Sequence, residues 1–476
     1  MATKRYWGRG WGGALALLAL AAPGAQPPVS AAVEHRETTV HAAPWEAGKR
    51  VVIRHALGSV RLRAGADGEV SVRAERRLEG PDRQAIEAFL RGLKVNVSAL
   101  DDCVEVSTIR PREPQKRLDQ ATVNLDVTVP ARAPVEVDSS FGDLDAEGLA
   151  ALQATTTFGG LTVRAIAGDV TLEGKHGKVV VDDVRGDVHI THSLGDVAVA
   201  RVGGALVARN QFAQIHAAEV GGRAVIDNRS GPIVLSRVGG GAQVTCQYAQ
   251  VQVSDVVGDL KVNNRAENVA VSDVCGVVTV TNANGSVEAR DITGELRVDN
   301  RQGAVTIAGV AGKVTVAQGD GELKVRDVRG SADLTNTHGL VEVDGITEAC
   351  RIRNDFGPVT VQNAHGNLNV TNAWGLVRVD VPPGEAREER AEWQLENTHG
   401  NVVLGIPPGA GCRLDIEVSA GTIDSQLAAV AGQRAGNRET AQAVINGGGI
   451  AIEVRVDLGM AQIQKRAAPA EGPARK

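Results

Sequence analysis

Three consecutive stretches, GDLKVNNRAENVAVSDVC (Gly258–Cys275), GVVTVTNANGSVEARDIT (Gly276–Thr293) and GELRVDNRQGAVTIAGVA (Gly294–Ala311), align without a gap at a spacing of 18 residues. Taken alone, the middle one looks like a phosphate-binding loop, with glycines, small residues and an aspartate. Beside its neighbours it is one unit of a repeat. With the frame set at Ala150, thirteen frames run to Pro383 (13 × 18 = 234 residues). Numbering each frame from zero, positions 2, 4, 11 and 13 are apolar in all thirteen, and position 16 in twelve, with Pro382 in the last. Glycine fills position 0 in eleven frames and position 9 in ten. Asparagine fills position 6 in eight: Asn210, Asn228, Asn264, Asn282, Asn300, Asn336, Asn354 and Asn372.

Apolar residues two apart, such as Leu260 and Val262, share one face of a strand. Each frame therefore supplies two short strands with inward pairs, and the glycines before them suit tight corners. One frame cannot stand alone, because its few aliphatic side chains do not offset the entropy of ordering its backbone. Stacking frame on frame removes the deficit, and the predicted fold is an all-β parallel β-solenoid. Crossover chirality suggests a right-handed coil. At about 4.8 Å per rung, thirteen rungs make a rod of roughly 60 Å. A hexapeptide helix is excluded because position 10 is mixed (Lys178, Asp196, Gln250, Asn268), and a calcium-binding nonapeptide roll because its GGxGxDxUx pattern is absent. The asparagines are predicted to form a stacked structural ladder, each side chain bonding its neighbour or the turn backbone. Position 16 tucks the second turn in, whereas the first turn, polar at position 7, is expected to be exposed.

Residues 1–31 read as a signal peptide. Lys4, Arg5 and Arg9 precede the short apolar run Gly12–Ala22, with small-residue cleavage patterns ending at Ala21 or Ala31. That run is shorter than the roughly 20 residues that span a bilayer, so no transmembrane span is expected in the mature chain. The expected location is exported: periplasmic, cell-surface or secreted. Removing three basic residues takes the net charge from −6 to 48 − 57 = −9, which disfavours nucleic acid as a partner. Five scattered cysteines, Cys103, Cys246, Cys275, Cys350 and Cys412, suggest neither a disulfide framework nor a zinc site. Residues 34–132 alternate less regularly and read as an N-terminal β cap with a helix near 81–93, where Ile86, Phe89, Leu90 and Leu93 share a face. The solenoid proper is assigned to 133–383. A charged insertion at 384–390, a last rung with a C-terminal cap over 391–465, and a disordered tail at 466–476 complete the division.

The order of these parts resembles a known family. GSVRLRAGADGEVSVRAE near the start, VNLDVTVPARAPVEVDSSFGDLDAEG entering the array, the G-x-V-x-V tiles, and LENTHGNVVLGIPPGAGCRLDIEVSAGTIDS with NGGGIAIEVRVDLGMAQIQ at the end carry the likeness. Over roughly Trp45 to Gln464 the chain is similar to the bacterial putative-adhesin family of domains of unknown function. The resemblance implies an exported β-solenoid and supplies no catalytic residues.

Two constellations carry possible chemistry. Asp255, Asp273 and Asp291 stack at position 15 on successive rungs, where they could cap their own corners through Asx-type hydrogen bonds or hold a calcium ion. No other cofactor is implied. Paired acids for glycoside cleavage would also need a groove. On the exposed first turn, Arg229, Arg265 and Arg301 recur at position 7 on every second rung. Tyr248, Phe356 and Trp374 stand at position 8, with Phe158, Phe212, His176 and His338. Such a ridge could grip an acidic polysaccharide or envelope component by carboxylate pairing and ring stacking, or it could simply shield the turn and solvate the rod. His189 and His192 share a rung without a third ligand, and no nucleophile, zincin or nucleotide-binding motif occurs on a suitable frame. The expected role is binding or adhesion without catalysis. The alternatives are a polysaccharide lyase or hydrolase, and an envelope scaffold that assembles end to end.

Overall fold

The computed structural model describes residues 32–111, 118–383 and 391–466. Residues 1–31, read as a signal peptide, the charged insertion at 384–390 and the tail beyond 466 lie outside the described residues. Each frame contributes two strands. In one frame these are Val278–Asn284 and Val287–Ile292. The first pairs in parallel with Leu260–Asn264 and Leu296–Gln302, and the second with Val269–Cys275 and Val305–Val310. The register advances by one frame at every step, Leu260↔Val278↔Leu296. The result is a parallel β-solenoid of two ladders facing each other across one continuous core. Val278, Val280, Val287 and Ala289 are all buried in it.

The two turns of each frame are closed by different means. Position 15 adopts a left-handed backbone in twelve of the thirteen frames: Ala165, Asp183, Arg201, Glu219, Arg237, Asp255, Asp273, Asp291, Asp327 and Asn363 all have φ between 50° and 57°, and Gly309 and Gly345 stand at 68° and 76°. This residue breaks the two-residue alternation of the second strand, so that position 16 (Val256, Val274, Ile292) swings back into the core. Aspartate, asparagine and glycine tolerate that backbone best. At the first turn the constraint is steric. Gly321 has φ +140°, and a Cβ there would lie 2.4 Å from the Gly303 carbonyl oxygen of the rung before. Only glycine accepts both conditions.

Both ends are woven out of chain order. At the start, Arg50–His55 lies between Cys103–Ile109 and Pro134–Phe141, parallel to both. Val60–Gly65 likewise lies between Gln120–Pro130 and Leu144–Glu147. Part of the stretch read as an irregular cap is thus coil of the same kind. Antiparallel strands finish the end: Glu69–Gly80 on Gln120–Pro130, Val33–Pro44 on Glu69–Gly80, and Lys94–Ala99 on Cys103–Ile109. The helix runs Arg83–Gly92, capped by the Asp82 side chain, which accepts from the Ala85 N–H at 2.8 Å. Ile86, Phe89 and Leu93 bury its inner face, with Leu90 half-buried at the margin.

At the far end, the last strand, Ile450–Lys465, inserts between the rung Glu392–His399/Val402–Ile406 and the strand Cys412–Ser425. Arg438–Ile445 then closes the edge antiparallel to Cys412–Ser425. Arg466 pairs with the mostly buried Asp380, whose carboxyl burial pushes up despite that cation. All five cysteines are free. Four are buried, and burial raises the Cys350 thiol to about 12.

Candidate functional site

Inside the first turn, position 6 forms a buried polar file. From its start the register runs His55↔Ser139↔Thr156↔Gly174, and it continues through His192 to the asparagines and Asn397. The asparagine amides from Asn210 to Asn354 donate to turn carbonyls: Asn228 to Gly231 O at 2.9 Å and to Ala213 O of the rung before at 2.8 Å, Asn282 to Gly285 O at 3.1 Å. From Asn336 onward the amides also bond one another. Asn336 donates to Asn354 Oδ1 at 2.9 Å, Asn354 to Asn372 Oδ1 at 2.9 Å, and Asn372 to Asn397 Oδ1 at 3.1 Å. Cys246 and Gln318 interrupt the asparagine run. His192, whose Nε2 lies 2.8 Å from Gly177 O, fills space left by Gly174, where a Cβ would meet its ring at 2.5 Å. His189 points outward on the same strand, so the two histidines do not converge.

Position 8 on the outside of this turn forms a ridge. Phe141, Phe158, Phe212, Tyr248, Phe356 and Trp374 are between 43% and 51% exposed. Four pairs of rings on neighbouring rungs stack nearly parallel: Phe141 on Phe158 with centroids 5.2 Å apart, Phe158 on His176 at 4.7 Å, His338 on Phe356 at 4.9 Å, and Trp374 on His399 at 3.7 Å. Stacked rings cover each other's faces and present edges to solvent. Tyr248 differs, because its flanking position-8 residues are Ser230 and Ala266, leaving its faces open. It also lies one rung from Arg229 and one from Arg265. Those two arginines and Arg301 are exposed and make no ion pair or side-chain hydrogen bond among the described residues. Asp227 and Asp299, two residues before Arg229 and Arg301, moderate the local charge. The structure thus groups Tyr248 with the arginines, and places Phe356 and Trp374 three and four rungs beyond Arg301, roughly 14–19 Å away.

Asp255, Asp273 and Asp291 are exposed and in file on the second turn. Their carboxylates accept no hydrogen bond and form no ion pair among the described residues, so the Asx-type caps expected of them are not made there. Their recurrence follows instead from the left-handed backbone of position 15, with φ of 53°, 56° and 53°. The capping carboxylates stand elsewhere and reach along the axis. Asp169 accepts from Asp187 N at 2.8 Å, Asp187 from Ala205 N at 2.7 Å, and Asp259 from Val277 N at 3.0 Å. Among the described residues, no group of three or more His, Cys, Asp or Glu side chains is arranged to hold a metal ion.

The sequence did not point to the clefts, which lie along the other margin of the first sheet. One, of about 380 Å³, is lined by Gln243, Lys261 and Thr279; a second, of about 340 Å³, by Asp333, Arg351 and Asn369. A third, about 590 Å³, opens on the C-terminal cap between Gln394, Glu453, Asp415 and Gln442. The last two clefts share Glu392 and Gln394. Position 3 lies between the inward positions 2 and 4 and so faces outward, which was the available signal.

No family model matches the chain, and no curated protein matches it. Among solved structures, the crystal structure of a putative cell adhesion protein from Clostridium sporogenes aligns with a TM-score of 0.16 and 8% identity, covering 90% of this chain and 100% of that one.

Proposed function

We propose that this chain is an exported binding rod, akin to the putative-adhesin domains its sequence resembles, and that it acts by adhesion to an acidic polysaccharide of the cell envelope or its surroundings. One observation carries the reading: three exposed, unpaired arginines, Arg229, Arg265 and Arg301, stand at one azimuth on every second rung, with the open faces of Tyr248 between the first two. Their spacing, about 10 Å, is close to the length of one extended disaccharide. A guanidinium can pair bidentately with a carboxylate, and an open ring can take the C–H face of a sugar. Binding follows from geometry repeated along an axis, with no residue asked to move a proton.

The test is retention of the full chain on immobilised acidic polysaccharides, with new chain ends assayed in the same wells. Retention should fall at least tenfold in the Arg229→Ala/Arg265→Ala/Arg301→Ala variant, in a salt-dependent manner, without release of chain ends. Retention unchanged in that variant would remove the ridge from the reading. New chain ends would replace adhesion with catalysis.

A further inference from the structure

The clefts of about 340 and 590 Å³, which share Glu392 and Gln394, form one continuous feature. From Asp333 the register runs straight across the sheet: Asp333↔Arg351↔Asn369↔Gln394↔Glu453↔Asp415. The final steps cross the out-of-order strands of the cap, and Gln442 opposite Asp415 ends the column. A second column beside it is low and partly apolar where the 590 Å³ cleft opens, with Ala451 between Glu392 and Arg413 and then Val444, 61% exposed.

We propose that this trough is a binding site for an extended, uncharged polysaccharide lying along the rod axis, with one end seated in the C-terminal cleft. Charge argues for the ligand class. The trough carries Lys313, Arg351 and Arg413 against Asp333, Glu392, Asp415 and Glu453, three cations interspersed with four anions. A polymer bearing one sign of charge, either sign, would meet repulsion at several points along the trough, whereas a hydroxyl-rich neutral chain can donate to the carboxylates and accept from the cations and amides. Preorganisation argues for the site. Asn369 Nδ2 donates to Gln394 Oε1 at 2.9 Å, which fixes both amides and leaves Asn369 Oδ1 and Gln394 Nε2 as an acceptor and a donor side by side at the surface. Glu453 is held by Arg455, which also reaches Glu396. Ala451 and Val444 supply the apolar ground on which the C–H face of a sugar can rest, and about 590 Å³ falls within the range that seats a small ligand.

The site is independent of the arginine ridge, which lies at the opposite turn and favours acidic polymers, so the two can fail separately. The experiment is calorimetric titration of the full chain with cellohexaose, xylohexaose, mannohexaose and laminarihexaose, and with an oligogalacturonate as the acidic control. At least one neutral hexasaccharide should bind. Its affinity should drop about tenfold or more in Asn369→Ala/Gln394→Ala/Arg413→Ala, and also in Ala451→Tyr, which fills the cleft floor without removing a polar group. The arginine-ridge triple variant should bind it as the parent does. The proposal is overturned if no neutral hexasaccharide binds at millimolar concentration, if binding survives both trough variants, or if the oligogalacturonate displaces the neutral ligand from the trough. Unchanged melting midpoints in the variants separate loss of the site from loss of the fold.

Discussion

The two turns of each rung solve the same problem with different physics. The first closes around a buried side chain. An amide at position 6 satisfies carbonyls of its own turn and of the rung before, as Asn228 does. The second closes through a backbone conformation, the left-handed residue at position 15, whose side chain points to water. A buried hydrogen-bonding role fixes residue type narrowly, and position 6 is accordingly asparagine in eight frames. A backbone role only biases it, so position 15 accepts Ala165, Arg201, Glu219 and Arg237 beside its aspartates. One edge of the rod is specified from inside, and the other is left free to vary in charge.

The largest expected effect lies on the amide edge. Replacing Asn354 by alanine takes the closer of two acceptors from the Asn336 amide and strands the Asn372 carbonyl oxygen and the Gly357 carbonyl, and should cost about 3–4 kcal/mol in urea unfolding. A cost below about 1 kcal/mol would break the contrast between the edges. Acid should weaken the same edge at its start. His55 is 3% exposed, and burial lowers its pKa to about 4. Because the folded ring resists a proton that the unfolded chain accepts near pH 6.5, stability is full above that pH. It should be lost progressively as pH falls from 6.5 to about 4, by about 3 kcal/mol in total. His192, also lowered by burial, acts in the same direction. His55→Asn should flatten this dependence in melts taken across the range.

Smaller effects belong to the other edge. Asp273→Val, which places a β-branched residue at φ 56°, should cost about 1–2 kcal/mol. Asp273→Gly should cost less than about 0.5 kcal/mol, or stabilise, since glycine takes that backbone freely. The smallest effect expected is none. Asp273→Asn and the parent should melt alike with and without calcium, and a calcium-dependent gain lost in the variant would restore a cation role to Asp255, Asp273 and Asp291.

What was legible in the sequence is what repeats. The 18-residue frame yielded the two strands, the inward pairs at Leu260 and Val262 and the exposed first turn, because each side chain meets its own equivalent one rung away. The aspartates of position 15 were visible, but their cause was not. A left-handed backbone leaves only a statistical bias toward Asp, Asn and Gly, which reads equally well as charge chemistry. The trough was invisible for a different reason. Gln394, Glu453 and Asp415 are neighbours only because the chain's last strand enters between two earlier ones, and no period links their numbers. Ring stacking was also hidden, since sequence places Phe356 and Trp374 on one ridge without saying that stacked neighbours take up ring faces.

The out-of-order ends bear on how the rod is made. A solenoid laid down strictly in sequence could peel from either tip one rung at a time. Here Arg50–His55 stays half-paired until Cys103–Ile109 and Pro134–Phe141 have both been produced, and Cys412–Ser425 cannot dock on the rod until Ile450–Lys465 arrives. The molecule is closed like a lace threaded back under its own last loop. A chain truncated before Ile450 would lose an interior strand as well as its end, and a chain emerging N-terminus first would hold its final rung open until its last residues are free.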